Sequence, residues 1–284
     1  MPKLFAPILR EPAKHLYHLI KRPAYREWCR LTSRYGGVPR HTRREVRVGE
    51  WTLLVPDVPS FLSAYKSIFV DEGYALRAAS DRPVMLDCGA NIGLSVLYLK
   101  RLYPGARITA YEPDEAIFDA LKRNVHGNGF TDVELVRAAV WTEETTLRFW
   151  QEGADGGRIE AVGPGGGEGG SHINVPAVRL RDRLEQGPID FLKLDIEGAE
   201  VAVVRDCGDA LRNVRAAFVE HHSFVGEPQS LGAMIDQFER LGFRTHVHQA
   251  FSSPSPLLHC AVQPGVNMDL QLNLYFFRPE DGQT

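Results

Sequence analysis

Cysteine is sparse in this chain of 284 residues. Cys29, Cys88, Cys207 and Cys260 lie far apart with no Cys-x-x-Cys pair, which indicates neither a zinc cluster nor a disulfide framework and suits a reducing compartment. No apolar run approaches the roughly 18 residues that span a bilayer. The opening Met1-Pro-Lys-Leu-Phe5 lacks a long apolar core with a small-residue cleavage site, and the expectation is a soluble, cytoplasmic protein. The glycine-rich stretch does not end in Lys followed by Ser or Thr, which excludes a Walker-type phosphate loop. An Asn-Pro-Pro-Tyr type base clamp is also missing. Together with an acidic body, that speaks against a specific nucleic-acid partner.

What is present is unevenly charged. Residues 1–48 hold 12 Lys and Arg against 3 acids, while residues 49–284 hold 21 bases and 33 acids, so a local charge of +9 faces one of −12. Leu16, Tyr17, Leu19 and Ile20 are interleaved in this basic arm. Such a segment suits peripheral contact with an anionic membrane or a phosphorylated substrate. More often such a segment docks its apolar side on the body of its own chain or on a second subunit of a homo-oligomer. The reading is an extension over residues 1–76, with the basic arm at 1–48, followed by one domain over 77–284. A glycine-rich insertion at 152–171 is read either as a lid over an active site or as a tolerated surface loop.

Hydrophobic periodicity predicts a strand at Trp51–Val55 and a helical connector at Ser60–Leu76. Alternating elements follow: strands at Val84–Cys88, Ile108–Tyr111, Val133–Val136, Ile189–Asp195, Ala216–Val219, Phe243–Val247 and Leu270–Phe277, with helices from Leu94, Glu115, Val201 and Leu231. Leu147–Trp150 reads as an edge strand. The pattern is that of an α/β protein with a doubly wound, mostly parallel sheet and an antiparallel last strand, whose ligands sit at the carboxyl ends of its strands.

Two such ends carry complementary chemistry. Val84-Met-Leu-Asp-Cys-Gly-Ala-Asn-Ile-Gly93 reads as strand, glycine turn and helix start, with Gly89 and Gly93 free to adopt backbone conformations closed to other residues and with unpaired amides expected at the helix start. Asp87 would repel a phosphate there but suits a cationic ligand, or else caps the helix. Glu112, in Ile108-Thr-Ala-Tyr-Glu-Pro-Asp114, stands where such folds place the acid that accepts both ribose hydroxyls. S-adenosylmethionine fits both acids, since it carries an ammonium and a sulfonium and no phosphate.

A second cluster lies in Lys193-Leu-Asp-Ile-Glu-Gly-Ala-Glu200 and Glu220-His-His222, at two adjacent strand ends. Asp195, Glu220 and His221 are expected to converge as an oxygen-preferring site for Mg2+ or Mn2+; without a metal, His221 or His222 would act as general base. Glu197 and Glu200 also read as plain helix-start acids.

The ordered set Leu86–Gly93, Tyr111–Asp114, Asn124, Lys193–Glu200 and Val219–His221 resembles the FkbM-type S-adenosylmethionine-dependent methyltransferases over roughly residues 84–222. The resemblance implies a class I methyltransferase (Rossmann-like) fold. It implies cofactor contacts at Asp87, Gly89, Asn91, Gly93 and Glu112, with Ala90, Pro113 and Asp195 beside them, and a transfer site near Asp195, Glu197 and His221. The basic arm and the glycine-rich insertion match no motif of that family. The expected activity is O-methylation of a saccharide, glycolipid or glycosylated natural product. A small-molecule N-methyltransferase and a non-catalytic cofactor-binding scaffold remain as alternatives.

Overall fold

The computed structural model describes residues 6–151, 157–160, 171–262 and 267–279. The chain divides into two compact units, Met1–Leu76 and Arg77–Thr284. Among the described residues, no helix is long and apolar enough to cross a membrane.

In the first unit, helices α1 (Ala6–Lys21) and α2 (Pro23–Tyr35) precede a hairpin of β1 (Arg44–Val48) and β2 (Trp51–Val55), then α3 (Val58–Tyr65). Pro23 opens α2, where its missing N–H costs nothing. Asp57 caps α3 by accepting from the Ser60 N–H at 3.1 Å. The helical connector expected at Ser60–Leu76 starts at Val58 and ends after one π-helical segment, Lys66–Val70. Tyr65 stacks on Phe69 at 4.7 Å inside this unit. On α1, Leu16, Tyr17 and Ile20 are exposed.

The second unit contains a seven-stranded sheet. In chain order its strands and helices begin with β3 (Val84–Cys88), α4 (Leu94–Leu102), β4 (Arg107–Tyr111), α5 (Glu115–His126) and β5 (Glu134–Val136). Next come β6 (Ala139–Trp141), β7 (Thr145–Gln151), β8 (Arg158–Ile159) and β9 (Ser171–Arg179), which together form a separate four-stranded sheet of order β6-β9-β7-β8. Helix α6 (Leu180–Leu184), β10 (Ile189–Leu194), α7 (Glu200–Cys207), β11 (Val214–Phe224), α8 (Leu231–Arg240), β12 (Arg244–Ser252) and β13 (Met268–Phe277) complete the unit.

The large sheet runs β12-β13-β11-β10-β3-β4-β5. Its ladders are parallel from β11 through β5, and β13 is antiparallel to both β11 and β12. This is the doubly wound, mostly parallel sheet with an antiparallel last strand that the sequence pattern predicts. The chain leaves β3 toward β4 and β5, then returns to β3's other side as β10. That reversal opens a crevice at the carboxyl ends of β3 and β10. Both strands are buried on their two faces, which is why they read as nearly continuous apolar runs. Leu86, Leu192, Leu194 and Val219 form one core there with Val203 and Val204 of α7.

Two readings change. Residues 145–151 are not an edge strand of the main sheet but pair with β8 and β9. Residues 171–179 form a strand that periodicity did not reveal. Of the glycine-rich insertion, only 157–160 and Ser171 are among the described residues.

Candidate active site

The loop after β3 is tied down by its own backbone. The N–H groups of Gly89 and Ala90 donate to the Tyr111 carbonyl at 3.1 and 2.9 Å, and that of Gly93 donates to the Ala90 carbonyl at 2.9 Å. The Ile92 N–H donates to Asn91 Oδ1 at 2.7 Å, and the Asn91 N–H to Glu112 Oε2 at 3.0 Å. Every amide from 89 to 93 therefore has a partner within the chain, ahead of helix α4, which begins at Leu94. An anion-binding nest requires free donors, so this loop is no phosphate cradle. Gly89 has φ +84°, and a Cβ there would lie 1.8 Å from the Asp195 carbonyl oxygen. With the Asp195 N–H donating to the Cys88 carbonyl at 3.1 Å, glycine lets the β3 loop lie directly on the end of β10. Asn91 and Glu197 both hold positive φ without being glycine, +47° and +54°. Such conformations are sparsely populated by L-residues, although Asn tolerates them better than most.

Glu112, buried at the end of β4, also accepts from the Asp114 N–H at 3.0 Å. Burial pushes its carboxyl up to about 7, against the backbone N–H bonds and Lys193, which pull it down. Each oxygen keeps a lone pair beyond the N–H it accepts, so the carboxylate fits a donor pair such as the ribose hydroxyls of S-adenosylmethionine. Pro113 is half-buried beside it, and Asn124 holds the loop by donating to the Ile92 carbonyl at 3.0 Å.

Asp87 has partners within the chain. It is closed to solvent, accepts from Ser95 Oγ, and has Lys193 Nζ 3.3 Å from Oδ1. Its counter-ion is thus a lysine of this chain rather than a cationic ligand, because Lys193 stands beside it in register on β10. The same ammonium reaches the Gly89 carbonyl at 2.7 Å and Asp195 Oδ2 at 3.1 Å. Lys193 therefore joins the cofactor loop to the acid at the end of β10.

Asp195, Glu220 and His222 converge, each with a ligand atom within 4.8 Å of the others. His221 does not join them, which corrects its expected metal and catalytic roles. Side chains alternate along a strand, so Glu220 and His222 share one face of β11 and His221 points to the other. There it is buried with Nδ1 unpaired, and burial lowers its pKa. His222 Nδ1 lies 3.2 Å from Glu200 Oε1, and its Nε2 lies 3.5 Å from Glu197 and 3.9 Å from Glu220. Burial acts to lower the His222 pKa, but Glu197, Glu200 and Glu220 outweigh it and hold it well above the ordinary value. Holding its proton more firmly makes His222 a poorer general base. Burial likewise opposes ionisation of Asp195, yet Lys193 and His222 bring its carboxyl below the usual range. Glu220, buried beside the Asp195 charge, is pushed well above it.

Glu200 is not merely a helix-start acid. Fully buried, it accepts from the N–H groups of Ile196 and Gly198 at 3.0 and 3.1 Å and orients His222. Arg158 went unread in the sequence; its guanidinium lies 5.2 Å from the Phe224 ring and interacts with Glu197. Its signal was an Arg-Ile pair set among glycines, able to pair with the Phe149-Trp150 strand.

The family model for the methyltransferase FkbM domain matches residues 87–245, more than half of the chain. Methyltransferase sdnD of Sordaria araneosa is 33% identical over 172 residues, covering 50% of this chain and 66% of that protein. The chain thus spans slightly less than two thirds of that relative's length, and the same share, 66%, of Methyltransferase 1 from Beauveria bassiana. The 31-O-demethyl-FK506 methyltransferase FkbM of Streptomyces tacrolimicus is 28% identical over 217 residues, covering 65% of this chain and 82% of that one. Among solved structures, a methyltransferase FkbM from Methylobacillus flagellatus KT aligns over 78% of this chain and 53% of its own, with 15% identity and a TM-score of 0.45.

Proposed function

The chain belongs to the FkbM methyltransferase family, and we propose that it methylates a hydroxyl oxygen of a saccharide, glycolipid or glycosylated natural product, with S-adenosylmethionine as donor. When bound, that cofactor supplies an electrophilic methyl group on a sulfonium. The observation that carries the reading is the position of Asp195. Its side chain is 23% exposed and sits where the cofactor loop lies on the end of β10, beside Glu220 and His222. Glu112 and the Asn91 loop would hold the nucleoside, and Asp195 would accept a hydrogen bond from the acceptor hydroxyl and fix its direction of approach. Alignment of two reactive partners is the main demand of such a transfer.

Oxygen is favoured over nitrogen by the same surroundings. Asp195, Glu197 and Glu220 would hold an amine as its ammonium ion, which has no lone pair to attack with. That one relative is a 31-O-demethyl-FK506 methyltransferase also supports an oxygen acceptor.

The test compares polar metabolites, glycans and glycolipids of the host with and without the gene by mass spectrometry, then adds purified protein and labelled S-adenosylmethionine to the mutant extract. A species one methylene lighter in the mutant, with label restored on oxygen, is expected. Label on nitrogen would move the assignment to N-methylation. No transfer by protein that binds S-adenosylhomocysteine would replace catalysis by a scaffold role.

Glu112 gives this reading a pH signature. With its carboxyl at about 7 before binding, hydroxyl donors favour the ionised form and pull it down, so binding below pH 7 releases a proton. Cofactor affinity should then be roughly tenfold lower at pH 6 than at pH 8 and level off above about 7. The facing charges are Asp114, which raises the Glu112 pKa, and Lys193, which lowers it. In the unliganded protein the sign is opposite: Glu112 keeps a proton that the unfolded chain has lost from about 4.5 upward, so its contribution to stability falls between about 4.5 and 7. Calorimetry in buffers of different ionisation enthalpy should show the proton release in the wild type and none in Glu112→Gln. Equal affinities at the two pH values would remove Glu112 from the nucleoside site.

A further inference from the structure

The side chain best placed to receive a ligand beyond the cofactor is His222, because it is oriented from behind and faces acids in front. Glu200, itself held by two backbone N–H groups, lies 3.2 Å from Nδ1. Glu200 thereby holds the Nδ1–H and turns Nε2 toward Glu197 and Glu220. A carboxylate behind the imidazole with oxygen donors in front is the arrangement that fixes a metal-binding histidine. The charge balance points the same way. Asp87, Asp195, Glu197 and Glu200 are set against Lys193, Arg158 and one imidazole, with Glu220 as a further carboxyl that a cation would ionise, within a largely buried region.

We propose that Asp195, Glu220 and His222 bind one divalent cation, with Glu200 as the positioning residue behind His222. Their ligand atoms already lie within 4.8 Å of one another, so an ion between them needs only small side-chain movements. Two carboxylates and one imidazole suit Mn2+ best and Mg2+ in the same geometry, since carboxylates favour these ions and manganese tolerates nitrogen more readily. Entry of the ion exchanges the Nε2 proton of the imidazole for the metal. The remaining coordination positions would take water or an oxygen of the acceptor. This role rests on the O-methyltransferase reading, but binding of the ion does not.

The test is therefore made on the full chain without acceptor or cofactor. After chelator treatment and buffer exchange, Mn2+ is titrated and free ion is read by electron paramagnetic resonance. One saturable ion per chain is expected, with nitrogen coupling from an imidazole in the bound spectrum. His222→Gln should weaken binding by at least about tenfold and remove the coupling, and Glu200→Gln should weaken binding by about tenfold with the coupling kept. If His222→Gln fails to fold, Asp195→Asn serves as the second ligand variant. Absence of saturable binding, or binding equal in wild type and ligand variants, or a bound ion without nitrogen coupling would overturn the site. Failure of methyl transfer in a chain that binds one coupled ion would instead count against the catalytic reading alone.

Discussion

Lys193→Met is expected to lower folding stability by about 3–5 kcal/mol, the usual cost of removing one partner of a buried ion pair. A domain's whole stability is about 5–15 kcal/mol, so the loss is a large share. Methionine nearly reproduces the lysine's length and bulk and leaves little cavity, so the effect comes from charge. Asp87 is wholly buried, and once the ammonium is gone it keeps the hydrogen bond from Ser95 Oγ. The Gly89 carbonyl loses its 2.7 Å donor and Asp195 its 3.1 Å partner. In the double variant Asp87→Asn/Lys193→Met the stranded charge is also gone, so much of the loss should be recovered. Urea unfolding of the wild type, both single variants and the double variant gives the coupling. A Lys193→Met loss under about 1 kcal/mol, or no recovery in the double variant, would mean that the pair does not hold the loop.

Lys193 also shows what was legible in the sequence. The run Phe191-Leu-Lys-Leu194 announced a buried strand, and a lysine inside it implied a buried partner, since lysine is rarely enclosed unpaired. Which partner it has depends on strand register, here Lys193 opposite Asp87 across the sheet, and register between distant segments is not encoded locally. The alternation of strands and helices, the β3 glycine loop and the acids at the ends of β4 and β10 were readable because each depends on short-range pattern. The choice between His221 and His222 was also readable in principle: with Glu220 in the site, a period of two selects residue 222. The strand at 171–179 was hidden by its polar residues and by Pro176, which argues against an inner strand position. Its buried residues, Val175 and Ala177, do alternate with exposed Asn174 and Pro176.

Asp195→Asn should reduce turnover by about a hundredfold or more while changing affinity for S-adenosylhomocysteine by less than about threefold. Asparagine keeps the size and one oxygen, so the backbone contacts of residue 195 survive: its N–H on Cys88 and its carbonyl against Gly89. What is lost is the charge and one acceptor, at the point where the hydroxyl must be held. Removal of a group that accepts a proton or orients the nucleophile costs about 10²–10⁴ in rate. The nucleoside is assigned to Glu112 on β4, two strands away in the sheet, and independent sites give additive, separable effects. Stopped-flow binding of the demethylated cofactor beside steady-state transfer of label separates the two quantities. Equal losses in both would place Asp195 in cofactor binding. Unchanged turnover would free β10 of any part in the transfer. A selective loss of turnover would show that the two strand ends, drawn together by Gly89 and Lys193, divide the work between holding the donor and aiming the acceptor.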